Sequence, residues 1–168
     1  MYKKTAFLGL FACLALIFSY VEAIVPLPIP VPGVKLGLAN VLIVICLYTY
    51  GVKEAVAINV VRIILLAVLF ANPYSFIYSL AGAVISMALM YPLYKSKGFS
   101  IIGVSVAGAV GHNTAQILTA MAVTRIVKLI DYLPVLIISG IITGLIIGII
   151  GKIILPQLKK IDLERVKS

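Results

Sequence analysis

A helix that crosses a bilayer needs about 20 consecutive apolar residues, and this chain is made almost entirely of runs of that length. Six segments qualify or come close: 5–25, 34–50, 52–70, 73–94, 100–123 and 133–155. The second is short and begins among polar residues. The connections are brief, and nowhere do polar and apolar residues alternate over the length of a barrel strand. The expected fold is therefore all-α: a polytopic membrane protein with six transmembrane helices. It forms a single transmembrane domain over 1–168, with a short N-terminus and a C-terminal tail over 156–168. Composition excludes a soluble alternative, since 63% of residues are hydrophobic where a soluble domain has about 45–50%. Lys3-Lys4 before an apolar run, with Val21-Glu22-Ala23 after it, resembles a secretory leader. That run is long enough to span, so it is expected to remain as the first helix.

The formal charge of +9 could suit a nucleic acid, but the charges stand at the ends of apolar segments and form no basic face. Membrane lipid is the expected surrounding, with no nucleic-acid partner. One set of segment ends carries Lys3, Lys4, Lys53, Lys95, Lys97, Lys152, Lys159, Lys160, Arg165 and Lys167; the opposite set carries Lys35, Arg125 and Lys128. Cytoplasmic ends are the Lys/Arg-rich ones. The expectation is a multi-pass protein of the cell membrane with both termini cytoplasmic. Cys13 and Cys46 lie inside apolar segments, so neither a disulfide nor a metal site is expected.

Small residues recur every four positions on three helices: Ala15, Ser19 and Ala23 on the first, Gly103, Ala107, Gly111 and Ala115 on the fifth, Gly140, Gly144 and Gly148 on the sixth. Such faces let helices approach closely in lipid. Packing within the chain accounts for most of them, and the first is the candidate for docking a partner. Between the first two helices, prolines at 26, 28, 30 and 32 forbid helix. The segment is either an outer lid or a stiff connector.

Polar residues inside the apolar runs are few. Arg62 lies about ten residues into the third helix, near mid-bilayer at about 1.5 Å per residue. A charge at that depth is costly and faces the protein interior. Glu22 is the acid that could reach it; otherwise an anionic ligand must. His112, the single histidine, lies at a similar depth in the fifth helix. Ser105, His112, Gln116 and Thr119 share one helical face, and Asn113 stands beside it. These residues are either hydrogen-bonding glue between helices or the wall of a cavity. Lys35 and Asn40 open the second helix, and Asn59 precedes Arg62 by one turn. Together they sketch a positive cavity open to the outside, with Lys35 and Asn40 at its mouth and Arg62, His112 and Gln116 within. Its ligand would be anionic with an organic, apolar body.

GVKLGLANV (33–41), VVRIIL (60–65), SLAGAVIS (79–86) and FSIIGVSVAGAVGHNTAQI (99–117) resemble the Gx transporter family. That family also carries the older label heptaprenyl diphosphate synthase component I. The resemblance covers nearly the whole chain. It is similar in turn to the substrate-binding S components of energy-coupling-factor (ECF) importers. Those are six-helix membrane proteins that take vitamins or precursors from outside and rely on a coupling subunit and two ATPases. The resemblance implies that Lys35, Asn40, Arg62, His112, Asn113 and Gln116 are motif positions for substrate, and that Ala15, Ser19 and Ala23 dock the coupling subunit. It implies no cofactor in this chain, ATP hydrolysis falling to the partners.

The synthase label meets an obstacle in the residues. Holding Mg²⁺ and diphosphate takes clustered carboxylates, and the two aspartates, Asp131 and Asp162, are far apart. No carboxylate lies at the depth of His112 for a catalytic triad, and GIIGKI at 148–153 lacks the spacing of a phosphate-binding loop. The chain is therefore expected not to be an enzyme. The expected function is the substrate-binding membrane component of an ECF-type importer for a vitamin, isoprenoid or quinone precursor. The alternatives are a non-catalytic membrane partner of polyprenyl diphosphate or menaquinone synthesis, or of quinone-linked extracellular electron transfer.

Overall fold

The structure, a computed structural model, describes residues 2–24, 37–70 and 73–166. Its elements in chain order are α1 (Tyr2–Ile24), α2 (Asn40–Thr49), α3 (Val52–Phe70), α4 (Pro73–Ser96), α5 (Ile101–Thr124), a 3₁₀ helix (Val127–Tyr132) and α6 (Leu133–Val166). The proline-rich stretch 26–32, Lys35 and the side chain of Ala23 lie outside the described residues.

Local chemistry sets the ends. Gly51, at φ +103°, turns the chain from α2 into α3 in a conformation that costs a glycine little. Pro73 opens α4, where its missing N–H is no loss. Ser100 caps α5 by accepting from the Gly103 N–H at 3.2 Å, and Arg125 closes it at φ 59°, ψ 22°. Pro156 sits inside α6 without ending it, so that helix runs past the expected boundary at 155.

The expected six helices are present among the described residues, but the expected six spans are not all matched. Four segments are long and apolar enough to cross a membrane: Thr5–Glu22, Pro73–Ser96, Ile101–Thr124 and Val127–Leu158. α2 has 10 residues, about 15 Å of rise and half of a hydrocarbon core. α3 has 19, enough in length, but carries Lys53, Glu54 and Arg62. α2 is apolar all round and buried over Asn40–Leu47, as such a helix must be. It is the centre of the bundle, packed against α1, α3 and α6, while α5 lies between α4 and α6.

The bundle is apolar outside and buries a polar cluster within its apolar core. Val68, Leu69, Ile138 and Ile153 are among many large aliphatic residues on the surface, whereas Ser19, Glu22, Asn40, Asn59, Arg62, His112, Asn113 and Gln116 are buried. Several apolar helices with such a surface are compatible with a membrane protein. The small faces are used within the chain. Cβ atoms placed on Gly140, Gly144 and Gly148 would lie 3.0, 2.6 and 2.6 Å from the Cα atoms of Val110, Val106 and Ile102, so α5 and α6 touch backbone to backbone. Ala15 and Ser19 are likewise turned inward, at 0% and 1% exposure. Two of the three small residues expected to dock a partner are thus buried in this chain, and the side chain of Ala23 lies outside the described residues.

Candidate functional site

Four helices, α1, α2, α3 and α5, bring polar side chains to one region of the interior. α1 contributes Ser19 and Glu22, and α3 contributes Asn59 and Arg62. Each pair is three residues apart and therefore on one helical face. The Arg62 guanidinium donates from Nη1 to Ser19 Oγ at 3.2 Å and from Nη2 to Asn59 Oδ1 at 2.6 Å. Glu22 acts on the same guanidinium through its charge. Arg62 is 4% exposed and Glu22 7%, so the pair is withdrawn from water. Of the two options the sequence allows for neutralising Arg62, Glu22 is buried in the same region. Nε of Arg62 is buried with no hydrogen-bond partner among the described residues.

Gly37 joins this pair to α2 and α5. Its N–H donates to Glu22 Oε1. Its φ of +83° is one that side-chain-bearing residues rarely adopt. A Cβ there would lie 2.8 Å from Asn40 Nδ2 and 3.5 Å from His112 Cδ2, so the Asn40 amide and the imidazole both rest against bare backbone. On the other side of the imidazole, a Cβ on Gly82 of α4 would lie 2.7 Å from His112 Cε1 and Nδ1. His112 is therefore held between two glycines. Asn40 Nδ2 is a second buried donor with no partner among the described residues.

The predicted residues divide into groups. Asn40, Arg62 and His112 converge. Gln116, at 0% exposure, follows His112 by one turn on the same face. Asn113 points elsewhere: its Nδ2 donates to Leu136 O at 3.0 Å and to Ser139 Oγ at 3.3 Å, joining α5 to α6. Thr119 bonds its own helix at Ala115 O. Lys35 lies outside the described residues. Asn40, expected at the cavity mouth, is buried with the rest of the cluster. A cavity of about 350 Å³ lies instead between α3 and α4, with Asn59 in its lining.

Sequence reading missed Ser19, Gly37 and Gly82 as members of this region. Ser19 carried a signal, since it shares a face with Glu22. The glycines carried none on their own, because a missing Cβ reports what it touches only after folding. Among the described residues, no group of three His, Cys, Asp or Glu side chains is placed to hold a metal.

No curated protein and no solved structure matches the chain. The profile of the family described as heptaprenyl diphosphate synthase component I matches residues 11–154. That match covers most of the chain and includes the motifs around Asn40, Arg62 and His112, so the chain belongs to the heptaprenyl diphosphate synthase component I family.

Proposed function

We propose that this protein is a non-catalytic, membrane-embedded binding component that captures a small, anionic organic molecule at the Arg62 cluster. One observation carries the reading: buried donors of Arg62 and Asn40 are left without partners among the described residues at the heart of an apolar bundle. A buried polar group without a partner costs about 1–3 kcal/mol, and such groups in a folded protein call for an explanation. A ligand presenting oxygen acceptors supplies one. Glu22 already offsets the arginine charge, so the ligand is selected by donors as well as by charge.

In this reading α2 and α3 complete six membrane-embedded helices around the cluster, with both termini cytoplasmic, a reading the Lys/Arg distribution supports. Uptake is from the outside, and energy comes from an ECF-type coupling subunit and its ATPases, as the resemblance to S components implies. Ala15 and Ser19 are committed to internal packing, so the coupling subunit docks on another face.

The family description favours a second reading, a membrane partner of a polyprenyl diphosphate synthase. Quinone-linked electron transfer is a third role for the same binding chemistry. Affinity purification separates them by what accompanies the protein: a coupling subunit with ATPases, a prenyl synthase or a flavoprotein. The binding site is tested by mass spectrometry of co-purifying small molecules. Arg62→Gln should lose the bound species by about tenfold or more, the value of a charge-assisted hydrogen bond, and Gln116→Leu should lose less. Full retention in Arg62→Gln would show that the site is elsewhere.

A further inference from the structure

The groove between α3 and α4 borders the polar cluster at Asn59. Val56, Val60 and Ile63 form one wall and Ala83 and Met87 the other. From Val52 to Ile63 it follows α3 for about 16 Å at 1.5 Å per residue. Its volume, about 350 Å³, is in the range of small-molecule sites, roughly 300–1,000 Å³. The lining is apolar except for Asn59 and Tyr91. Asn59 is the residue whose Oδ1 accepts from Arg62 Nη2 at 2.6 Å. The groove is thus one hydrogen bond from a buried guanidinium that retains an unused donor at Nε. Val84, Ala88 and Tyr91 on its lining are also surface residues, so it is open on the apolar exterior of the bundle.

An apolar slot with Asn59, the partner of a buried guanidinium, in its lining matches one kind of molecule. We propose that this groove holds the chain of a single-chain amphiphile whose anionic, oxygen-bearing head replaces Asn59 as an acceptor for Arg62. The inference rests on the reading of the Arg62 cluster as a head-group site and adds to it the ligand class and the route. The ligand enters sideways from the apolar phase, between α3 and α4. Asn59 is the positioning residue that occupies the guanidinium until the head arrives. Carboxylate and phosphate heads share the required chemistry.

The test is photolabelling in bilayers with dodecyl phosphate and, separately, dodecanoate, each bearing a diazirine in the chain. Dodecanol with the same group is the neutral control, and a two-chain diazirine phospholipid reports the bulk lipid. At least one anionic probe should label 52–63 and 80–91 saturably. Arg62→Gln should reduce that labelling about tenfold or more, the loss of one charge-assisted hydrogen bond. Ala88→Phe, a surface change that fills the groove, should abolish it. Dodecanol and the phospholipid should label the exposed aliphatic residues of α6 equally well. Labelling by both anionic probes that is spread evenly over α6, or is indifferent to Arg62→Gln, overturns the proposal. Loss of the co-purifying molecule in Arg62→Gln but not in Ala88→Phe overturns the groove and leaves the head-group site standing. Retention in Arg62→Gln removes the site itself.

Discussion

Gly144→Ala adds one methyl group where α5 and α6 meet, and the structure sets its effect. The new Cβ would lie 2.6 Å from Val106 Cα, 3.0 Å from Val106 N and 3.1 Å from Ser105 O. Non-bonded carbons rest at about 3.5–4.0 Å, so the helices must part by about 1 Å. All three obstacles are backbone, and no side chain can swing aside. A gap of 0.5–1 Å forfeits about a quarter to a half of each contact along the seam, and in lipid such packing is the main force joining helices. Overpacking costs about 1–3 kcal/mol, and a backbone obstacle puts Gly144→Ala near about 3. Gly148→Ala, 2.6 Å from Ile102 Cα, should match it, while Gly140→Ala, at 3.0 Å from Val110 Cα, should cost less. Gly9→Ala is the control: nothing lies within 4 Å of its Cβ, and alanine favours helix by about 1 kcal/mol over glycine. Denaturant titration of the purified variants in detergent, followed by circular dichroism, gives the order directly. A Gly144→Ala protein as stable as Gly9→Ala would refute the close approach of α5 and α6.

The charged pair should show strong coupling in the same unfolding assay. Arg62→Gln strands a buried carboxylate at a cost of about 3–5 kcal/mol, whereas the double change Arg62→Gln with Glu22→Gln should cost clearly less than the sum of the single changes; additive costs would show that the two do not interact. Asn113→Leu should lower stability by about 1–2 kcal/mol through its lost bonds to α6 and leave the co-purifying molecule in place; loss of that molecule would move Asn113 into the site. In a background lacking Cys13 and Cys46, a cysteine at Ser96 should be shielded from an impermeant thiol reagent added to intact cells, and labelling there would invert the proposed orientation.

Helix identity was legible because it depends on local apolar content. The expected third helix, 52–70, is the observed one, bounded by Gly51 on one side. The second was read as starting at 34, yet α2 begins at Asn40. Gly37 takes a left-handed turn before it, and the glycine identity alone does not say which backbone region it adopts. The sixth helix is expected to end at Leu155, yet α6 continues through Pro156, since a proline can also persist inside a helix. Four-residue spacing showed that Ala15 and Ser19 lie on one face of α1. It could not show whether that face meets a neighbouring helix of the same chain or another protein, since both require small residues.

Donor accounting bears on the choice between glue and cavity for the buried polar residues. Asn113 gives its amide protons to Leu136 O and Ser139 Oγ, which is what glue does. Arg62 presents five N–H donors in a fixed plane, and three neighbours engage it: Ser19, Asn59 and the charge of Glu22. Glu22 is shared with the Gly37 N–H, so one carboxylate serves both α2 and α3. Nε of Arg62 and Nδ2 of Asn40 are two further buried donors with no partner among the described residues. A purely structural cluster gains by balancing donors and acceptors, because each unmet donor costs stability. Two idle donors, one of them the Asn40 amide resting against the bare backbone of Gly37, are the arrangement expected where acceptors arrive with a ligand.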